Sequence, residues 1–216
     1  MKAKSILIVV GMVLMFGSDR GHALTNFHDD AVIQEGDVYD YVHVYDDATV
    51  DMTGGIVTHL TGWDYSIINV SGGILGGLGS LEFNMLNLYY DAVVGSVGVS
   101  DSGTLNMFGG NVDVIMVGST KTANLYGGII SDYLMAASTV GIYGYGFQYN
   151  PLAGDYRGGQ LTGFWLDDTP FSIDLFGNPG GPYGGPIDTY SHIVLIPEPA
   201  TVLLLGLGVL MLKKRS

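Results

Sequence analysis

The chain has 216 residues, 34 of them glycine and none cysteine, and a formal net charge of −13. Without cysteine there are no disulfides, no thiolate nucleophile and no zinc–thiolate site, so stability must come from packing and hydrogen bonding. Between residues 24 and 196 the only bases are Lys121 and Arg157, set against every acid of the chain except Asp19 and Glu198, which excludes the basic footprint that nucleic acid binding requires.

The N-terminus reads as an export signal. Lys2 and Lys4 precede an apolar stretch over residues 6–16, and Gly21-His22-Ala23 puts small residues at the two positions that matter before a cut. That layout predicts a secretory signal peptide over residues 1–23, cleaved between Ala23 and Leu24.

Residues 24–146 carry an internal repeat. Rows beginning at Val32, Val50, Ile68, Leu86, Leu105, Ala123 and Val140 recur at about 18 residues, with single-residue slips late in the series. The first and third positions of a row are apolar, as in Val50 and Met52 or Leu86 and Leu88, while the second reads Asp51, Asn69, Asn87, Asn106 and Asn124. A period of two places the first and third positions on one face of a strand. Two positions further on stand Gly54-Gly55, Gly72-Gly73, Gly109-Gly110 and Gly127-Gly128, with Tyr90-Asp91 in the fourth row. Paired glycines supply the positive φ or close approach that a corner needs.

A unit this short cannot bury its apolar face alone, so the rows are predicted to stack into an all-β parallel β-solenoid, one coil per row. Equivalent residues then recur about every 4.8 Å along the axis. Asn69, Asn87, Asn106 and Asn124 become a structural ladder, because an amide both donates and accepts. A second, polar turn is expected at residues 62–66 and 100–104.

The repeat stops after Phe147. A polar loop over 148–159, a strand, turn and strand over 160–173, a Gly/Pro-rich loop over 177–186 and a last strand over 191–196 read as a β-rich cap spanning 147–196. Such a cap covers strand edges that would otherwise invite aggregation. Residues 26–31 are its expected counterpart at the other end.

Residues 197–216 have their own grammar. Pro197 and Pro199 bar a helix from running through Pro197-Glu198-Pro199. From Ala200 onward an apolar run reaches Leu212 and is closed by Lys213, Lys214 and Arg215. As a helix the run is about 20 Å long, short of the roughly 30 Å hydrocarbon core. Its glycines and its basic end nevertheless suit a thin or tilted transmembrane helix with the basic tail at cytoplasmic headgroups.

Pro197-Glu198-Pro199-Ala200-Thr201, the Leu/Gly-rich run and the three terminal bases resemble, part for part, the PEP-CTERM protein-sorting signal of Gram-negative bacteria. The segment has also been labelled an ice-binding protein C-terminal domain. The resemblance covers about a tenth of the chain and implies export across the inner membrane, retention there by the tail, and recognition by an exosortase, a membrane cysteine peptidase acting near Pro-Glu-Pro. Pro197, Glu198 and Pro199 are then a substrate motif, and the protein passes on to the cell surface or extracellular space. The Gly-Gly repeats are similar to those of autotransporter passengers and of other proteins of this sorting class.

Chemistry is sparse. His28, His43, His59 and His192 share no metal or triad spacing, and no nucleophile elbow, zincin or phosphate-loop motif occurs. Neither a cofactor nor a metal site is expected. Asp46-Asp47 and Asp167-Asp168 are the paired carboxylates a glycosidase would need, although adjacent acids in turns are more often solvated caps or calcium ligands. Trp63, Tyr65 and Trp165 are candidates for stacking on sugar rings, although sparse aromatics in a solenoid are more often core or cap. The segment Gly76-Gly77-Leu78-Gly79-Ser80-Leu81-Glu82-Phe83 is similar to a calcium-binding nonapeptide but has Leu81 where that repeat needs Asp. The sequence therefore reads as a non-enzymatic, exported envelope or extracellular-matrix protein, structural or adhesive, with exopolysaccharide a candidate partner. The alternative is an ice- or polysaccharide-binding solenoid, and behind it a polysaccharide-cleaving enzyme.

Overall fold

The computed structural model describes residues 23–178 and 186–197. The expected transmembrane helix, Glu198, Pro199 and the basic residues Lys213, Lys214 and Arg215 lie outside them, as does the signal peptide up to residue 22. Among the described residues no helix is long and apolar enough to cross a membrane.

The fold is all-β. Its first strands are β1 (Leu24–Phe27), β2 (Ala31–Ile33) and β3 (Val38–Val44), followed by the long β4 (Thr49–Gly62) and β5 (Ile67–Ser80). Then come β6 (Met85–Leu88), β7 (Val93–Val99), β8 (Thr104–Met107), β9 (Asn111–Val117), β10 (Thr122–Leu125) and β11 (Ile129–Ala136). The chain continues through β12 (Val140–Asn150), β13 (Arg157–Trp165), β14 (Pro170–Asn178), β15 (Ile187–Asp188) and β16 (Ile193–Pro197).

Up to β12 every pairing is parallel. One face stacks β2, the first half of β4, the first half of β5, β6, β8, β10 and β12 in that order. The other stacks β1, β3, the second halves of β4 and β5, β7, β9 and β11. Each circuit is one coil of a β-solenoid.

Alternation builds the core. Val50, Ile68, Leu86, Leu105, Ala123 and Val140 form an inward column of fully buried side chains, and Val42, Leu60, Leu78, Val97, Ile115 and Leu134 face them from the other wall. Each such burial contributes about 1.5–3 kcal/mol for a large aliphatic side chain, but only because a neighbouring coil lies above and below. On the outside of the second face the column Val38, Ile56, Ile74, Val93 and Ile129 stays exposed.

The two corners use different chemistry. At the glycine corner, Gly55, Gly73, Gly110 and Gly128 all have φ between 79° and 99°. A Cβ on Gly73 would meet Met52 Cε at 2.5 Å and the Gly54 carbonyl oxygen at 2.7 Å, so both space and backbone demand glycine. The fourth coil has one extra residue here, and the Ala92 N–H donates to the Tyr89 carbonyl at 3.2 Å. Tyr90 and Asp91 are not among the positive-φ residues, so this turn dispenses with glycine. The extra residue shifts the pairing from Leu88↔Met107 to Val93↔Asn111. The first coil has an extra residue at the same corner, because Ala31, and not the expected Val32, pairs with Val50 while Val38 pairs with Ile56.

The second corner is a column of left-handed residues without glycine: Asp46, Asp64, Glu82, Asp101 and Thr120, with φ between 52° and 72°. Asp tolerates this region because its short carboxylate bonds locally. Here the bonds run between coils: Asp64 accepts from the Asp46 N–H at 3.1 Å and Glu82 from the Asp64 N–H at 3.2 Å. The acids thus satisfy turn amides along the axis while remaining at the surface.

At the C-terminal end, β12 runs on past Phe147 to Asn150 and pairs antiparallel with β13, which pairs antiparallel with β14. The loop expected over 148–159 is therefore shorter than its polarity implies. β14 returns to the second face beside β11, Leu175 opposite Leu134. The Trp165 indole donates to the Gly128 carbonyl at 3.0 Å and lies 4.3 Å from Phe171 between ring centroids, pinning the hairpin to the coils. A 3-10 turn, Thr189–His192, precedes β16, which lies parallel on β12 and adds one more rung to the first face. At the other end, residues 26–31 supply part of β1 and the approach to β2, so they belong to the first coil.

Candidate functional site

The first face carries three outward columns. The middle one is the second position of the repeat, and its side chains form one continuous chain of hydrogen bonds. Asn69 Nδ2 donates to Asp51 Oδ1 at 2.8 Å, Asn87 to Asn69 at 2.8 Å, Asn106 to Asn87 at 3.0 Å and Asn124 to Asn106 at 3.0 Å. In-register parallel pairing is what makes this possible, since Asp51↔Asn69, Asn69↔Asn87, Asn87↔Asn106 and Asn106↔Asn124 are direct neighbours. The next coil has Gly141 in the column, and a Cβ there would lie 3.2 Å from both Ile196 Cδ1 and Tyr143 Cε2. Those two side chains close the ladder at its C-terminal end.

Two positions further along each strand is an aromatic column. Tyr89 and Phe108 stack at 5.4 Å between centroids, Phe108 and Tyr126 at 5.0 Å, and Tyr126 and Tyr143 at 4.2 Å. Burial and a hydrogen bond to the Tyr143 hydroxyl push the Tyr126 phenol above its ordinary value. Two positions before the ladder stand Met85, Thr104 and Thr122 in register. Asn87 is 8% exposed, while Met85 on one side is 40% and Tyr89 on the other 36%. The ladder is therefore the floor of a shallow trough running along the solenoid axis. On this face aromatic side chains, in place of a regular Thr-x-Thr array, line one edge of the amide floor.

The remaining sequence candidates do not converge. Asp46 sits in the first coil, where His28 Nδ1 lies 2.8 Å from its carboxylate, whereas Asp167 belongs to the β13–β14 turn at the opposite end. The Thr169 hydroxyl and N–H both donate to Asp167 and hold its carboxyl below the usual range, the reverse of what a proton-donating acid needs. His43 Nδ1 lies 3.0 Å from the Tyr45 hydroxyl and His59 stacks on Tyr41. Among the described residues no group of three His, Asp or Glu is placed to hold a metal ion. The nonapeptide-like segment is the end of β5 and the turn after it, with Leu78 in the core.

Of the three aromatics weighed for sugar stacking, Trp165 is 2% exposed and belongs to the cap interior, the place expected of a sparse aromatic in a solenoid. Trp63 stacks on Tyr45, and the exposed Tyr65 stacks on Phe83. A cavity of about 350 Å³ opens at the cap beside Tyr149, Arg157, Asn178 and Asp188. Among the described lining residues Asp188 is the one carboxylate, and it accepts from the Ser191 N–H at 3.4 Å.

In the rows the column before the glycine corner reads Thr53, Ser71, Tyr89, Phe108 and Tyr126 and looks irregular, and the stacking of its aromatic members with Tyr143 appears only in the structure. The left-handed acid column has a single signal in the sequence, an acid at the same place in four successive rows. No family model matches this chain, and no curated protein and no solved structure does so either.

Proposed function

We propose that this protein is an exported, non-catalytic component of the cell envelope or extracellular matrix, structural or adhesive in role, and delivered as the substrate of a PEP-CTERM sorting system. The observation that carries the non-catalytic part is the amide ladder with its flanking columns. The same uncharged groups repeat coil after coil, which makes an extended contact surface, whereas catalysis needs unlike groups converging on one point. The carboxylates support this reading because they serve the turns, as Asp64 and Glu82 do for the amides of Asp46 and Asp64.

Delivery rests on the two ends of the sequence. Signal cleavage between Ala23 and Leu24 leaves Leu24 to open the first strand of the first coil. The motif Pro197-Glu198-Pro199 follows directly from the last rung, whose final residue is Pro197. An exosortase-type peptidase and, at least transiently, the inner membrane are the partners this arrangement calls for.

Fractionation of a native host tests the proposal. The intact chain is expected in envelope and matrix fractions, and a chain lacking residues 197–216 is expected to lose that distribution and its processing. Unchanged location and processing would rule out the sorting role.

A further inference from the structure

The trough on the first face has the chemistry of a site for a polyhydroxyl chain. A side-chain amide has two N–H donors and two acceptor lone pairs. In the ladder each Asn spends one N–H on its neighbour, and Asn69, Asn87 and Asn106 each accept one bond in return. One donor and at least one lone pair per coil remain for a ligand. The walls add Thr104 and Thr122 hydroxyls on one side and those of Tyr126 and Tyr143 on the other, all uncharged.

We propose that a neutral polysaccharide lies in this trough, parallel to the solenoid axis, held by the Asn amides and the flanking Thr and Tyr hydroxyls. The inference rests on the adhesive reading above and names its partner. The floor repeats about every 4.8 Å, close to the rise of one sugar residue in an extended β-linked glycan. Neutrality follows from charge, because an anionic polymer would run onto Asp51 at the end of the ladder and would approach a chain of formal charge −13. Hydrogen bonding, not ring stacking, is the mode of recognition. The aromatic rings lie face to face on one another, so they offer edges and hydroxyls to the trough.

The test is mobility of the full chain, purified in detergent, through native gels containing either hydroxyethyl cellulose, a neutral β-glucan, or the anionic polygalacturonate. Retardation by the neutral polymer alone is expected. The double variant Thr122→Val, Tyr126→Phe keeps the ladder and the ring stack while removing two wall hydroxyls, and is expected to weaken retardation about tenfold. Ile74→Thr, on the second face, should leave it unchanged. No retardation of the unaltered chain, equal retardation by both polymers, or full binding by the double variant would each overturn the inference. Fractionation of the same unaltered chain separates the two ideas. A protein held in the envelope that ignores the neutral polymer sinks the glycan and spares the adhesive role, whereas one never reaching the envelope sinks the adhesive role itself.

Discussion

Asn69 donates from Nδ2 to Asp51 Oδ1 across 2.8 Å, so the amide ladder ends on a carboxylate at the N-terminal side. The last link can be charge-assisted, but it lies at the exposed end of the column. The middle links lie beneath flanking side chains, with Asn87 only 8% exposed.

This gradient predicts unequal costs along one column. Asn87→Ala leaves the Asn106 donor and the Asn69 acceptor without partners in a half-dry trough and should cost about 1–3 kcal/mol. Asp51→Ala, where water replaces the lost partner, should cost less than about 1 kcal/mol. Urea unfolding of both variants measures the difference, and equal losses would show that the ladder does not act as a buried network.

The glycines divide in the same way. Gly73 has φ 89° and a Cβ there meets backbone and Met52, so Gly73→Ala should destabilise by at least about 1–3 kcal/mol. A Cβ on Gly98 meets nothing within 4 Å, so Gly98→Ala should be neutral or stabilise by up to about 1 kcal/mol. Thermal melts of the pair check the ranking.

Thr120 is the odd member of the left-handed column, a β-branched residue at φ 72°. Its hydroxyl donates to the Asp101 carbonyl at 3.2 Å and accepts from Lys121 Nζ at 2.8 Å, which offsets part of the strain. Asn adopts this conformation more readily. Thr120→Asn should therefore raise the unfolding free energy by about 1 kcal/mol, and a lowered melting temperature would mean that the hydroxyl bonds outweigh the strain.

Tyr156 donates its hydroxyl to the Asp132 carboxylate, and that bond, with smaller contributions from burial and nearby charges, pushes its pKa up to about 12. The folded pKa lies above the unfolded value of about 10. Its stabilising contribution is therefore fully present below pH 10 and is lost as pH rises from there through about 12. Spectrophotometric titration of phenolate absorbance should show a late-ionising tyrosine that moves to lower pH in Asp132→Asn. An unchanged late phase in that variant would assign it to another residue.

What could be read in advance follows from repetition. Asn69, Asn87, Asn106 and Asn124 are the same residue at nearly constant spacing, and a glycine pair marks the corner in most rows, so one period exposes both. The acid corner was only half legible, since Asp, Glu and Thr share a backbone conformation there without sharing a residue type. Tyr89, Phe108, Tyr126 and Tyr143 share one place in their rows, but that place holds Thr53 and Ser71 in earlier rows, so a stack of rings became visible only in the structure.

By itself, the sequence determined the coil length, the inward and outward alternation and the amide column, because each follows from local periodicity and from the fact that a lone coil cannot bury its apolar side. Only the tertiary structure decided that Trp165 is buried against Gly128, that Leu175 comes to rest beside Leu134, and that Tyr143 and Ile196 close the trough over Gly141. Apart from Tyr143, those contacts join residues far apart in the chain with no shared period, and they depend on how the last strands fold back over the end of the stack.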